Sequence, residues 1–214
     1  MPVILVVGAS RGIGLETVKA ALAAGHTVKA FARSAGAIAI DDPRLEKLKG
    51  DATDTAALRA ALAGVDAVIQ TLGRATTLDM PFTGTTLFSS GTRALVDAMK
   101  AEGVRRLVAV TGLGAGDSRG RGGLLYDAFL FPAMLRRTYD DKDIQERMIR
   151  DSGLDWTIVR PGLLQDGPAT GRARALVDPR QWVAAPVRRA DVATFLVREA
   201  FSRDYAGQTP LLIA

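Results

Sequence analysis

Val3-Ile-Leu-Val-Val-Gly-Ala-Ser-Arg-Gly-Ile-Gly14 is the stretch from which the rest of the chain can be read. Residues 3–7 are a continuous apolar run rich in β-branched side chains, the pattern of a strand buried on both faces of a parallel sheet. The chain then turns through Gly8, Gly12 and Gly14 into residues 15–24, which read as a helix closed by Gly25. A side chain would obstruct each turn glycine in its part. Gly8 permits the tight turn, Gly12 admits a pyrophosphate close to the backbone, and Gly14 lets the helix lie against its strand. The first turn of that helix offers unpaired N–H groups and the positive end of its dipole, which together attract an anion. A second apolar run, Thr27–Ala32, follows within the length of one βαβ unit. In that context the glycine loop reads as a nucleotide-binding loop rather than a bare turn.

The end of the second run carries the cofactor preference. A carboxylate at this place would hold a ribose 2′-hydroxyl and repel a 2′-phosphate. The sequence has Arg33 and Ser34 there instead, with Arg11 in the glycine loop. Two guanidinium groups converging on one phosphate give charge-assisted, bidentate hydrogen bonds, so NADP(H) is expected over NAD(H). Residues 45–49 read as a third strand followed by Gly50-Asp51-Ala52, and Asp51 is assigned to the adenine pocket. Asp54 or Thr53 suits the N-cap of a helix over 55–63 better. A fourth strand over 66–71 leads into Leu72-Gly73, where a small residue lets the backbone pass the cofactor's ribose.

Further along, an irregular connection over 75–83 precedes a helix over 85–101, in which Gly91 marks close helix packing. Strands are expected over 104–111, 154–160 and 211–213, with a last helix over 189–201. Pro132 divides the apolar and charged stretch 124–151 into two helical pieces, the second carrying Lys142 and Glu146 at i and i+4. These elements describe a single α/β domain over residues 1–214, built on a doubly wound, mostly parallel, Rossmann-like sheet. Two segments at the carboxyl ends of its strands, 112–136 and 162–187, are expected to line the cleft and to form a lid or short hairpin over the substrate.

Composition narrows the chemistry. With 214 residues, 48% hydrophobic and 24% charged, the chain has the make-up of a soluble globular protein. It contains no cysteine and one histidine, which excludes disulfides, thiol chemistry and Cys/His zinc sites, and no metal is expected. That histidine, His26, falls at the amino end of a strand, whereas ligands of open α/β sheets bind beyond the carboxyl ends, so it reads as structural. The net charge of +5 fits a solvated basic surface and, more sharply, attraction of a phosphate-rich cofactor. No recognition helix, zinc finger or aromatic-bearing RNA-binding motif accompanies it, so no nucleic-acid partner is expected. The first strand begins at once, no apolar run reaches the length of a membrane span, and a cytoplasmic monomer or small homo-oligomer is expected.

The glycines are spaced Gly-x-x-x-Gly-x-Gly over residues 8–14. Together with Gly-Asp-Ala at 50–52, Asp-Ala-Val-Ile at 66–69, Gly-Leu-Asp-Trp-Thr-Ile-Val-Arg-Pro-Gly at 153–162 and Pro-Ala-Thr-Gly at 168–171, this resembles the atypical short-chain dehydrogenases/reductases. More narrowly, it is similar to their NAD(P)H-binding group, which includes NADPH-dependent flavin reductase (biliverdin reductase B). Carbonyl-reducing members of the superfamily use a Tyr-x-x-x-Lys pair and a serine after the fifth strand. Here Tyr139 and Lys142 are three apart, Tyr126 is followed four residues later by Leu130, and Thr111-Gly112 stands at the serine's place. A Tyr–Lys proton relay is therefore not expected. The resemblance implies an NADPH-dependent oxidoreductase that passes hydride to a conjugated acceptor, such as a flavin or quinone, whose proton comes from water.

On this reading Gly8, Ser10, Arg11, Gly12, Ile13, Gly14, Arg33, Ser34, Asp51, Ala52, Leu72 and Gly73 hold the cofactor, and Thr111, Pro161 and Gly162 border the nicotinamide. Thr111 and Lys142 are the candidate catalytic residues. The alternative is a non-catalytic NADP-binding redox sensor that engages a protein partner. An isomerase or epimerase of the same superfamily would need an acid–base group that the sequence does not display.

Overall fold

Successive residues of the first strand face opposite layers, and the architecture follows from that alternation. In the computed structural model, which describes residues 1–73, 84–120 and 136–214, β1 (Val3–Val7) sends Ile4 and Val6 to one core and Leu5 and Val7 to another. On the first face α1 (Gly12–Ala23) and α5 (Arg189–Ser202) contribute Val18, Leu22, Val192 and Leu196. On the second, α2 (Thr55–Ala61), α3 (Leu87–Ala101) and α4 (Arg136–Arg150) contribute Leu58, Leu95, Met99 and Ile149. Covering both faces is the condition under which a parallel sheet is stable, and it explains why β1 is apolar throughout and the other central strands are mostly so.

The remaining strands are β2 (Thr27–Ala32), β3 (Leu45–Lys49), β4 (Ala67–Gln70), β5 (Arg106–Val110), β6 (Asp155–Pro161), β7 (Leu163–Gln165), β8 (Arg174–Leu176), β9 (Pro186–Arg188) and β10 (Leu211–Ile213). Eight of the described strands form one sheet in the order β3-β2-β1-β4-β5-β6-β10-β8, parallel except where β8 meets β10. The doubly wound, Rossmann-like sheet is thus present, and the strand order reverses between β1 and β4. Such a reversal opens a crevice beyond the carboxyl ends of the strands.

Local signals act where the sequence placed them. Gly25, at φ +87°, ends α1: its N–H bonds the Leu22 carbonyl while the His26 N–H bonds that of Ala21, a Schellman closure. Asp54 caps α2 by accepting from the N–H groups of Ala56 and Ala57. Helix α1 starts at Gly12, earlier than the expected residue 15, so the glycine loop already contributes the first helical turn.

Gly91 marks a close approach of α3, since a Cβ there would lie 2.8 Å from Leu72 Cδ1 and 3.4 Å from the Ala52 carbonyl oxygen. It lets α3 approach the strand-end loops. Residues 162–187 form no hairpin: β7 pairs with β9 in parallel register, and β8 joins the main sheet antiparallel to β10. A two-strand local turn cannot make a parallel pair, and the long-range partners outcompete it. The expected connection over 75–83 and the helical piece before Pro132, with the rest of 121–135, lie outside the described residues. Among the described residues no helix is long and apolar enough to cross a membrane.

Candidate functional site

The glycine loop seats on β1 only because two of its positions lack side chains. Gly8 has φ +92°, and a Cβ there would lie 2.8 Å from the Thr71 carbonyl oxygen. At Gly14 a Cβ would lie 2.1 Å from the Gly8 carbonyl oxygen and 2.7 Å from Thr71 Oγ1. The loop, α1 and the end of β4 are therefore in backbone contact. The first turn of α1 holds no acidic residue, and the side chain of Arg11, its N-cap, makes no capping bond. The free N–H groups and positive dipole end of α1 are left to an anion from outside the helix.

In front of this turn lies a cleft of about 670 Å³, within the range of small-molecule sites. The structure brings together Gly8, Ser10, Arg11, Gly12 and Ile13 of the loop with Arg33 and Ser34 beyond β2. Asp51 and Ala52 beyond β3, Leu72 and Gly73 beyond β4, and Thr111 and Lys142 complete the expected set that lines it. Gly14 lies behind the loop, where it carries the close packing just described. Pro161 and Gly162 do not line the cleft. Pro161 is buried in β6 and accepts the Leu113 N–H at 3.2 Å, and Gly162 donates to the Leu212 carbonyl at 2.9 Å. A Cβ on Gly162 would meet the Ala185 carbonyl oxygen at 2.3 Å, so this glycine serves the seam with β10 and β9.

Sequence reasoning missed other lining residues. Leu87 and Leu164 add apolar walls, and Arg189, the first residue of α5, adds a third arginine. No local signal links position 189 to the glycine loop; only the packing of α5 beside α1 does.

Asp51 Oδ1 accepts the Thr53 N–H at 2.9 Å and the Thr53 hydroxyl at 2.8 Å. The backbone bond first, then the hydroxyl, with Arg33 nearby, holds its carboxyl below the usual range. Its Oδ2 has no protein partner among the described residues, leaving an acceptor on the cleft wall.

Thr111 is held twice by α4. Lys142 Nζ donates to its carbonyl oxygen, and its hydroxyl donates to Glu146 Oε1 at 2.8 Å. Glu146 also receives Arg160 Nε at 2.9 Å and Arg160 Nη2 at 2.6 Å, and both of these side chains are wholly buried. Burial works against the charge on Arg160, but its bonds to Glu146 and, at 2.7 Å, to Asp117 outweigh it and hold the guanidinium pKa above its ordinary value. The hydroxyl proton of Thr111 is thus committed to a buried carboxylate, and toward the cleft its oxygen can only accept. Lys142 lies 4.8 Å from the Phe88 ring centroid and 5.4 Å from that of Tyr139. Desolvation lowers its pKa to about 8, against the opposing pull of Glu146 and Asp141.

Tyr139 is not among the residues lining the cleft, whereas Lys142 is. Its hydroxyl lies where a Cβ on Gly112 would come within 2.5 Å, so the glycine at the usual serine place is what admits it. The spacing of three keeps the two side chains neighbours on α4, with the ammonium near the Tyr139 ring, but only Lys142 reaches the cleft. The Pro-Ala-Thr-Gly motif has a structural role: the N–H and hydroxyl of Thr170 and the N–H of Gly171 all bond buried Asp191 of α5 at 2.8 Å. His26 sits at the other rim of the sheet, stacked on Phe201 at 4.8 Å.

Comparison with known proteins agrees with this geometry. A family model described as NAD(P)H-binding matches residues 8–203. ChuY, an anaerobillin reductase from Escherichia coli O157:H7, superposes with a TM-score of 0.79 at 30% identity, over 100% of this chain and 97% of that one. A short-chain dehydrogenase/reductase from Veillonella parvula in complex with NADP reaches a TM-score of 0.82 over 100% of this chain and 94% of that one, but at 16% identity it shares the fold alone. Among curated proteins, an uncharacterized chloroplastic protein from Arabidopsis thaliana is 34% identical over 173 residues, 78% of this chain and 61% of its own length. Sterol demethylase protein B of Methylococcus capsulatus is 31% identical over 170 residues, 75% of this chain and 51% of its own length. The chain spans about half the length of the curated relatives it matches, from 43% to 61% for the first three.

Proposed function

The chain belongs to the NAD(P)H-binding family, an atypical branch of the short-chain dehydrogenases/reductases, and on that footing we propose that it is an NADPH-dependent reductase acting on a flat conjugated acceptor such as a flavin or quinone. The observation that carries the preference for NADPH is the cleft wall beyond β2, where Arg33, Ser34 and Arg11 stand in place of a carboxylate. These residues hold the 2′-phosphate, the first turn of α1 holds the diphosphate, and Asp51 accepts from the adenine amino group. The bound cofactor supplies the hydride, so the protein has to bind, orient and exclude water. Leu72, Gly73 and Leu164 give the acceptor apolar walls. Thr111, tethered by Lys142 and Glu146, fixes the floor without offering a proton. An acceptor that draws its proton from water fits a site built in this way.

The similarity to a protein named an anaerobillin reductase supports reductase activity and places anaerobillin in the test panel. The panel follows NADPH oxidation with FMN, quinones, anaerobillin and aldehydes. Acceptor-dependent steady consumption is the expected result. Tight NADPH binding with no turnover on any acceptor would instead favour the sensor reading, with which the committed hydroxyl of Thr111 is also consistent. Arg33→Asp is expected to weaken NADPH roughly tenfold or more relative to NADH. Equal losses for the two cofactors would remove Arg33 from the phosphate.

A further inference from the structure

Arg189 reaches the cleft from α5, with its Nε 4.0 Å from the point that a Cβ on Gly12 would occupy. It therefore stands at the first turn of α1, whereas Arg33 and Ser34 stand beyond β2. Its Nη1 bonds Asp166 Oδ1 at 2.7 Å, and the two partners are unlike: the arginine side chain is 28% exposed and the carboxylate 90%. Arg189 is held by the cleft wall and by α5. Asp166 is a solvent-facing side chain just past β7, and an ion pair with so exposed a member contributes little on its own. The neighbouring turn of α1 has unpaired N–H groups and no acidic residue. A cation and a helix N-terminus thus face one gap, and the anion now bonded to the cation comes from a surface side chain.

We propose that Arg189 is a ligand for the cofactor's diphosphate, and that Asp166 is a stand-in anion released when the dinucleotide binds. This rests on the reading of the cleft as a dinucleotide site and adds a second kind of arginine to it. Arg33 reads the 2′-phosphate, which only NADPH has. Arg189 reads the diphosphate, which NADPH and NADH share. The two roles separate in binding data.

The experiment measures dissociation constants for NADPH, NADH and adenosine 2′-monophosphate, which lacks a diphosphate, with wild type, Arg189→Gln, Asp166→Asn and the double variant. Arg189→Gln is expected to weaken NADPH and NADH by the same factor, roughly tenfold, and to leave the monophosphate unchanged. Arg189→Lys, which keeps the charge without the planar fork, falls between. Asp166→Asn tightens both dinucleotides, and that gain disappears in the Arg189→Gln background. A loss confined to NADPH and the monophosphate would assign Arg189 to the 2′-phosphate and overturn the proposal. So would unchanged affinity for both dinucleotides with a wild type that binds them. A wild type that binds neither dinucleotide would defeat the reading of the cleft itself, and this proposal with it.

Discussion

An added methyl group at Gly14 has nowhere to go, because it would meet the Gly8 carbonyl oxygen at 2.1 Å and backbone cannot swing aside. Gly14→Ala must lift α1 from β1, and we expect it to cost about 3 kcal/mol or more in urea unfolding and to abolish NADPH binding. Gly36→Ala, in open space, stays within about 0.5 kcal/mol and serves as the control. Lys142 makes a second test, through its depressed pKa of about 8 against 10.5 in the unfolded chain. Between those values the unfolded chain holds the proton and the folded chain does not, so this residue makes stability rise with pH across that window. Below it both forms are protonated and the cost of burying the charge is felt in full. The stability difference between Lys142→Met and wild type is therefore expected to move in favour of wild type from pH 8 to 10.5 in urea melts, and a flat difference would refute the assignment. The packing role of Gly14 and the place of Arg33 on the cleft wall could be read from residue type and spacing alone. The place of Arg189 could not, since its nearness to Gly12 is a product of tertiary packing. Pro161 and Gly162 lie outside the cleft lining, since a motif names residues without saying which side of a strand's end they serve.

Among the elements, α4 does more than its amphipathic pattern announces. Lys142 and Glu146, one turn apart, suggested an ordinary i, i+4 pair in the sequence. In the fold both turn instead to Thr111, one to its carbonyl and the other to its hydroxyl, while Glu146 pairs with Arg160 of β6 and, one turn on, with Arg150. The sequence could supply the helix but not the partner contributed by a strand. Removing Glu146 leaves the wholly buried Arg160 with only the exposed carboxylate of Asp117, 2.7 Å away, to balance its charge. Glu146→Leu is expected to cost about 3–5 kcal/mol in urea unfolding, and Glu146→Leu with Arg160→Met to recover a large part of it. A double variant no more stable than the single would show that the pair is not what balances Arg160. The short strands β7, β8 and β9 were illegible for a related reason. Each is three residues long, too short for a period to register, and each exists by virtue of a distant partner.

Across the whole molecule the sheet itself was legible, because strands covered on both faces must be apolar runs and the interposed helices give the winding. The open edge β3, Leu-Glu-Lys-Leu-Lys, is the exception that also makes sense: charges there discourage pairing with another chain. The net charge of +5 has a counterpart in the cleft, where Arg11, Arg33, Lys142 and Arg189 face Asp51. Raising ionic strength is expected to weaken NADPH more steeply than NADH, since the former carries an extra phosphate into that field. Identical salt slopes in binding titrations would mean that the extra phosphate is not recognised by charge. One-directional strands also give the molecule two unlike rims. The sole imidazole rests on Phe201 at the rim away from the cleft. Acylating agents that seek histidine, diethyl pyrocarbonate among them, accordingly find no such target within the reaction chamber, and inactivation by one would have to be traced to some other nucleophile or to damage at the far side.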